Sequence, residues 1–206
     1  VSTSDLPVTE RSLDTEDRTY LAPGEVEHEA NRCFNCGCVS VNASDLATAL
    51  SVMDATLVIT GVGNTREISI NEFLNTFPNS LEPGEIVTEI QVARPPANSV
   101  QKYIKFRLRE SIDFALVSVA SMLTVEKGIC RDARISLGAV APRPVRLAKA
   151  EQSLIGQRIN EKLAAAAAAA ALEDALPLEK NSYKIAIARE LVQRAIAAPE
   201  TPGRLR

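Results

Sequence analysis

Residues 116–140 read LVSVASMLTVEKGICRDARISLGAV. Leu116–Glu126 is rich in β-branched and apolar residues, Lys127-Gly128 is a turn signal, and Cys130–Val140 returns as a second strand. Pro142 and Pro144 close the sheet region. Just upstream, Lys102–Arg109 alternates. Ile104, Phe106 and Leu108 share one face; Tyr103, Lys105, Arg107 and Arg109 share the other. Three antiparallel strands in succession are therefore predicted. After Pro144 the spacing turns helical. Leu147, Ala150 and Leu154 recur at helical intervals in Arg146–Leu154. Glu161–Ala175 contains eight consecutive alanines, Ala164–Ala171, edged by Leu163, Leu172 and Leu176. Alanine is the best intrinsic helix former, and its small side chain lets helices pack closely. Ser182–Ala198 sets Ile185, Ile187, Leu191, Val192 and Ile196 on a broad apolar stripe. Strands followed by three helices make an α+β fold.

Upstream, Asn42–Ala55 is predicted as a helix, capped by Asn42 or Ser44, with Leu46, Leu50 and Met53 in line. Thr56–Thr60 and Arg66–Ile70 flank Gly61-Val62-Gly63-Asn64, a hairpin signal. Asn71–Leu74 is a helical turn. Leu81-Glu82-Pro83-Gly84 turns the chain into a strand at Glu85–Val92, and Pro95-Pro96 breaks it. The expected organisation is an acidic, Cys-ended linker at 1–38, a small α+β subdomain at 39–96, and a three-stranded antiparallel sheet with a three-helix bundle at 97–206.

The chain has 206 residues, 46% of them apolar, but 29 are Ala, so the core is poorer than that fraction implies. The net charge of −3 argues against a general nucleic-acid or anionic-membrane binder. Charge is uneven: residues 1–40 carry 3 basic and 8 acidic side chains, whereas residues 101–150 carry 10 basic and 4 acidic. The basic stretch is a solvated face or a surface for an anionic partner. No apolar run approaches the ~20 residues of a membrane span. The start at Val1 is polar and lacks an apolar signal segment, so the expectation is a cytoplasmic protein, processed or part of something longer.

Cys33, Cys36 and Cys38 crowd into six residues, with His28 five residues before Cys33. Thiolates at this spacing on a turn can share zinc or an iron–sulfur cluster, with Cys130, His28 or another part of the protein as fourth ligand. Redox thiols and plain reduced thiols are the other two readings. Clustered cysteines fit a reducing compartment. No Gly-x-Ser-x-Gly element or P-loop is present, which removes the common hydrolase and nucleotide-hydrolysis signatures.

Five segments in order carry a resemblance: Asn42–Ala55, Arg66–Phe73, Leu81–Ile90, Lys105–Arg109 with Ile112–Ala120, and Gly138–Pro142 with Arg146. From Val39 onward the chain resembles the FAD-binding subunit of the molybdenum hydroxylases, the xanthine dehydrogenase and carbon monoxide dehydrogenase flavoprotein family. The resemblance implies a small α+β subdomain followed by a sheet and three-helix bundle. It also implies flavin contacts. Asp45 maps to the ribityl–pyrophosphate side, Ile86 and Val87 to the face of the isoalloxazine, Lys105 to its pyrimidine end, and Asp113 and Phe114 to a loop at its edge. A lysine there would stabilise negative charge on reduced flavin. Without the resemblance, Lys105 is one member of a polar strand face, and Ile86 and Val87 are strand core.

Two departures stand out. The family's glycine-rich phosphate loop has no counterpart here, and Arg32–Cys38 occupies the place of its second glycine-rich element. Close backbone approach to phosphate needs glycine, so this chain alone is expected not to hold FAD in the family manner. Glu29–Cys38 in turn resembles the close of flavin- and NAD(P)-dependent oxidoreductases of the glutamate synthase small-subunit type. The combined expectation is the C-terminal part of a fused flavin-dependent oxidoreductase. It would pass electrons between NAD(P)H, bound by an upstream module, FAD, and molybdenum-cofactor and iron–sulfur partners. The alternatives are a non-catalytic interaction module and a metal or iron–sulfur site at the cysteines.

Overall fold

The computed structural model describes residues 44–75, 81–109 and 114–197. Ser44–Val52 forms helix α1. Strands β1 (Thr56–Gly61) and β2 (Asn64–Ser69) make the expected hairpin, with Gly63 at φ +83° in its turn. Helix α2 (Ile70–Asn75) and strand β3 (Ile86–Gln91) follow. The antiparallel order is β2-β1-β3. Leu50, Ala55, Leu57, Ile59, Ile68 and Ile70 form a small core beneath this sheet.

The second sheet is antiparallel, in the order β4-β5-β6-β7: β4 Ser99–Phe106, β5 Val117–Glu126, β6 Ile129–Gly138 and β7 Val145–Arg146. It thus has a fourth, two-residue strand beyond the three expected. Arg146, expected to open a helix, belongs to β7. The backbone N–H of Leu147 donates to the Ile135 carbonyl at 2.9 Å, and the helix starts only afterwards. Helices α3 (Ala148–Leu154), α4 (Glu161–Ala171) and α5 (Tyr183–Ile196) complete the chain.

The side-chain period of two divides β5 cleanly. Val117, Val119 and Leu123 join the large core under α3–α5, with Ile135, Leu137, Leu154, Val192 and Ile196. Ser118 and Ala120 alternate with them and so belong to the opposite face, the one on which α1 lies. There Thr48 and Ser51 of α1 are fully buried, as are Ser118 and Ser136. This seam is narrow. A Cβ on Gly138 would stand 2.4 Å from both Ser118 Oγ and Thr48 Oγ1. Small side chains let the helix sit this close. Leu46, expected on the apolar line of α1, is 52% exposed, because Ala47, Thr48 and Ser51 form the buried face instead.

The alanine run packs as a helix. Asn160 caps α4 by accepting from Leu163 N at 2.9 Å, and Ala164, Ala167 and Ala168 are buried one turn apart against α3 and α5. Alternation in Lys102–Arg109 holds only as far as the strand does. Ile104 packs on the large core, but β4 ends at Phe106, and Phe106 and Leu108 are exposed.

Charged side chains tie the end of α1 to the large sheet. Asp54, in the left-handed region at φ +46°, takes Arg134 at 2.8 Å and Arg146 at 2.9 Å. Arg146 also meets Glu151 at 2.8 Å. No helix among the described residues is long and apolar enough to cross a membrane.

Candidate functional site

Asp45 sits in the first turn of α1, where a carboxylate complements the positive end of the helix. The seam of small residues holds α1 against the sheet and brings Asp45 over β4. Tyr103 and Lys105, two apart on one face of that strand, both reach it. Lys105 Nζ lies 2.7 Å from Asp45 Oδ2, and Tyr103 donates its hydroxyl to Oδ1. Lys105 stands opposite Ser118 in the strand register. The Tyr103 phenol is pushed well above its ordinary range, first by burial and then by the Asp45 carboxylate that its proton serves. It is therefore a fixed donor at any physiological pH. The Lys105 and Asp45 side chains keep 25% and 34% of their surface in solvent, so the cluster is open on one side.

The structure brings Asp45 and Lys105 together but leaves Ile86 and Val87 in the other sheet. They are not core. Ile86 is 62% exposed and Val87 36%, and all six residues of β3 are exposed. Their backbone is nevertheless anchored. Arg66 grips Glu85 with two hydrogen bonds, 3.0 Å and 2.8 Å, and Glu82 N donates to the same carboxylate at 2.9 Å. These bonds, the arginine's first, hold the Glu85 pKa down at about 2. Phe114 is 59% exposed, just before Leu116 N closes onto the Phe106 carbonyl at 2.8 Å.

Asp113, Cys33, Cys36, Cys38 and His28 lie outside the described residues. Cys130 is described. It is fully buried in the large core, its thiol donates to the Asp132 carbonyl at 3.4 Å, and burial raises its pKa. Among the described residues no group of His, Cys, Asp or Glu is placed to hold a metal ion. Tyr103 is the residue that sequence reasoning left out of the site. Its one signal is sharing a strand face with Lys105. The Arg66–Glu85 clamp, 19 residues apart, has no local signature.

Residues 33–95 match the FAD binding domain in molybdopterin dehydrogenase, and residues 102–198 match the CO dehydrogenase flavoprotein C-terminal domain. The chain belongs to the FAD-binding subunit family of the molybdenum hydroxylases. It is 30% identical over 169 residues to the aldehyde oxidoreductase FAD-binding subunit PaoB of Escherichia coli (strain K12), covering 78% of this chain and 49% of that one. It is 27% identical over 161 residues to the carbon monoxide dehydrogenase medium chain of Afipia carboxidovorans, covering 74% and 54%. Among solved structures, quinoline 2-oxidoreductase from Pseudomonas putida 86 superposes with a TM-score of 0.68 at 28% identity, covering 78% of this chain and 58% of that one. The chain spans about half the length of the curated relatives it matches. Asp45 falls in the first matched segment and Lys105 in the second, so their ion pair joins the two.

Proposed function

We propose that this chain forms the ring-side wall of an FAD pocket in a molybdenum hydroxylase-type oxidoreductase, which moves electrons between FAD and molybdenum-cofactor and iron–sulfur partners in the cytoplasm. The observation that carries this is the Tyr103–Asp45–Lys105 cluster, which joins the two segments of flavoprotein type and stays open to solvent on one side.

The described residues fit the ring end of the cofactor. Lys105 supplies a cation whose position Asp45 fixes, and Tyr103 holds Asp45 in turn. Ile86 and Val87, neighbours in β3, project to opposite faces, and Ile86, the more exposed of the two, would supply the aliphatic contact that keeps water off a flat apolar ring. Phe114 would flank its edge, with Asp113 beside it in sequence. Bound FAD would supply two-electron uptake and single-electron release. Because Lys105 is already paired, its charge toward the ring is moderated rather than bare. The phosphates would be held elsewhere, by residues outside those described here. An NAD(P)H module ahead of Cys38 rests on the Glu29–Cys38 segment alone.

The test is a titration of the natural protein carrying this chain with FAD, followed by visible absorption and flavin fluorescence. Saturable binding that Lys105→Met and Ile86→Glu each weaken by about tenfold supports the assignment. Flavin binding indifferent to both variants overturns it. Metal analysis of the same anaerobic sample reads Cys33, Cys36 and Cys38, and less than a few tenths of an equivalent removes the metal site. A docking module without flavin is the second reading, favoured by the full exposure of β3. A protein that takes up no FAD but keeps its partner subunits would carry that one.

A further inference from the structure

On the helix side of the large sheet, away from Asp45 and Lys105, a cavity of about 410 Å³ opens between the end of β6, the start of α3, the end of α4 and the start of α5. Protein interiors are close-packed, with few voids larger than a water molecule. A space of this size lies within the range of small-molecule sites. Its walls are apolar: Val140, Leu147, Leu172, Ala175, Ile185 and Ala188.

The polar groups at its margin differ in one respect, whether they are already satisfied. Arg146 is neutralised by Glu151 at 2.8 Å and Asp54 at 2.9 Å. Lys149 is already shared by two carboxylates, Asp174 at 2.6 Å and Glu173 at 3.4 Å. Lys184 is different. Its Nζ donates to the neutral Ala139 carbonyl at 2.8 Å and has no carboxylate partner among the described residues. The carbonyl fixes the ammonium in place and leaves its charge uncompensated, with two N–H donors to spare. Asn181 lines the same cavity three residues earlier. Its Oδ1 accepts from Leu178 N at 2.7 Å, and its side-chain NH₂ has no partner among the described residues. Helix α5, which begins between these two side chains, has no acidic residue in its first turn and no side-chain cap.

We infer that this cavity binds an amphipathic monocarboxylate, its carboxylate on Lys184 and Asn181 and its apolar body between α4 and α5. A dicarboxylate or a phosphate ester fits poorly, because the other cations at the margin are already paired and the far wall is aliphatic. A neutral lipid would leave the ammonium without its counterion.

Calorimetric titration of the natural protein with octanoate, and in parallel with 1-octanol, tests this. Saturable octanoate binding is expected, stronger than octanol binding. Lys184→Gln should weaken octanoate by about tenfold and leave octanol unchanged. Ala188→Leu fills the buried end of the cavity and should remove both. Ala175→Leu narrows its half-buried mouth, and should weaken both even if the buried substitution does not fold. No saturable octanoate binding overturns the inference. So does octanoate binding that survives Lys184→Gln, or binding that neither leucine variant disturbs while the folded state is intact by circular dichroism.

Discussion

Every residue of β5 from Val117 to Leu123 is buried, whereas every residue of β3 from Ile86 to Gln91 is exposed. Both strands carry four β-branched residues, Val117, Val119, Thr124 and Val125 in β5 and Ile86, Val87, Thr88 and Ile90 in β3. Their positions differ. β5 is an inner strand with α1 on one face and α5 on the other, and it can be apolar throughout. β3 is the edge of a three-stranded sheet, hydrogen-bonded on one side only. Its aliphatic side chains therefore contribute nothing to the core described here. An apolar edge in solvent is a liability unless something covers it, and a flavin or a partner surface would each cover this one.

The sharpest way to break that contrast is truncation on each side of it. Ile135→Ala, opposite Ser121 in the large sheet and fully buried, should cost about 2–5 kcal/mol through lost burial and the cavity it leaves. Ile90→Ala on β3 should stay within about 0.5 kcal/mol. Denaturant unfolding of both variants measures the difference, and equal costs would mean that β3 is covered after all.

The seam beneath α1 offers a second, smaller effect. Gly138→Ala puts a methyl group 2.4 Å from two hydroxyl oxygens, one on β5 and one on α1. The helix must shift, at about 1–3 kcal/mol. Because α1 carries Asp45, the same variant should loosen the Asp45–Lys105 pair and weaken FAD binding, although residue 138 touches neither side chain. Ser118→Ala in the same background should recover part of the loss. If stability falls and flavin affinity does not, the Asp45–Lys105 pair does not set the flavin affinity.

The elements were legible in the sequence because each carries its own period: Leu116–Glu126 and Cys130–Val140 as strands around Lys127-Gly128, Ser182–Ala198 as a helix. The misreadings have a common cause. β7 is two residues long, too short for any alternation to show. Leu108 continues a pattern that the backbone no longer follows, and Phe106 is the exposed last residue of β4. Buried Thr48, Ser51, Ser118 and Ser136 look like solvent positions, and only the close approach of a helix explains them. Of the site, Asp45 and Lys105 were found through resemblance, not through spacing. Tyr103 and Asp45 are 58 residues apart, and their contact is a product of tertiary packing.

Asp54 sharpens the comparison further, since it links α1 to the large sheet without belonging to either core. Asp54→Asn keeps a side chain that tolerates the left-handed backbone. It removes the charge that Arg134 and Arg146 share. With about half of the carboxylate in solvent, the expected loss is about 1 kcal/mol, reduced at high salt. A loss that salt leaves unchanged would mean that Asp54 acts through its hydrogen bonds and not its charge.

The smallest effect is a pH dependence confined to the edge-strand sheet. Glu85 has an ordinary value of 4.5 and is held at about 2 in the folded protein, chiefly by Arg66. A carboxylate whose pKa is lowered by folding stabilises the folded state fully above its unfolded value, and loses that contribution as pH falls through its folded one. The anchoring of β3 should therefore weaken as pH drops from about 5 towards 2. Amide hydrogen exchange in β3 should accelerate across that window relative to β5, which has no such clamp. Glu85→Gln should flatten the dependence and leave β3 equally labile at neutral pH. Exchange in β3 that follows β5 through the whole window would place the anchoring of the strand in its backbone ladder with β1, and would leave the Arg66–Glu85 clamp as a surface contact without consequence for the flavin wall.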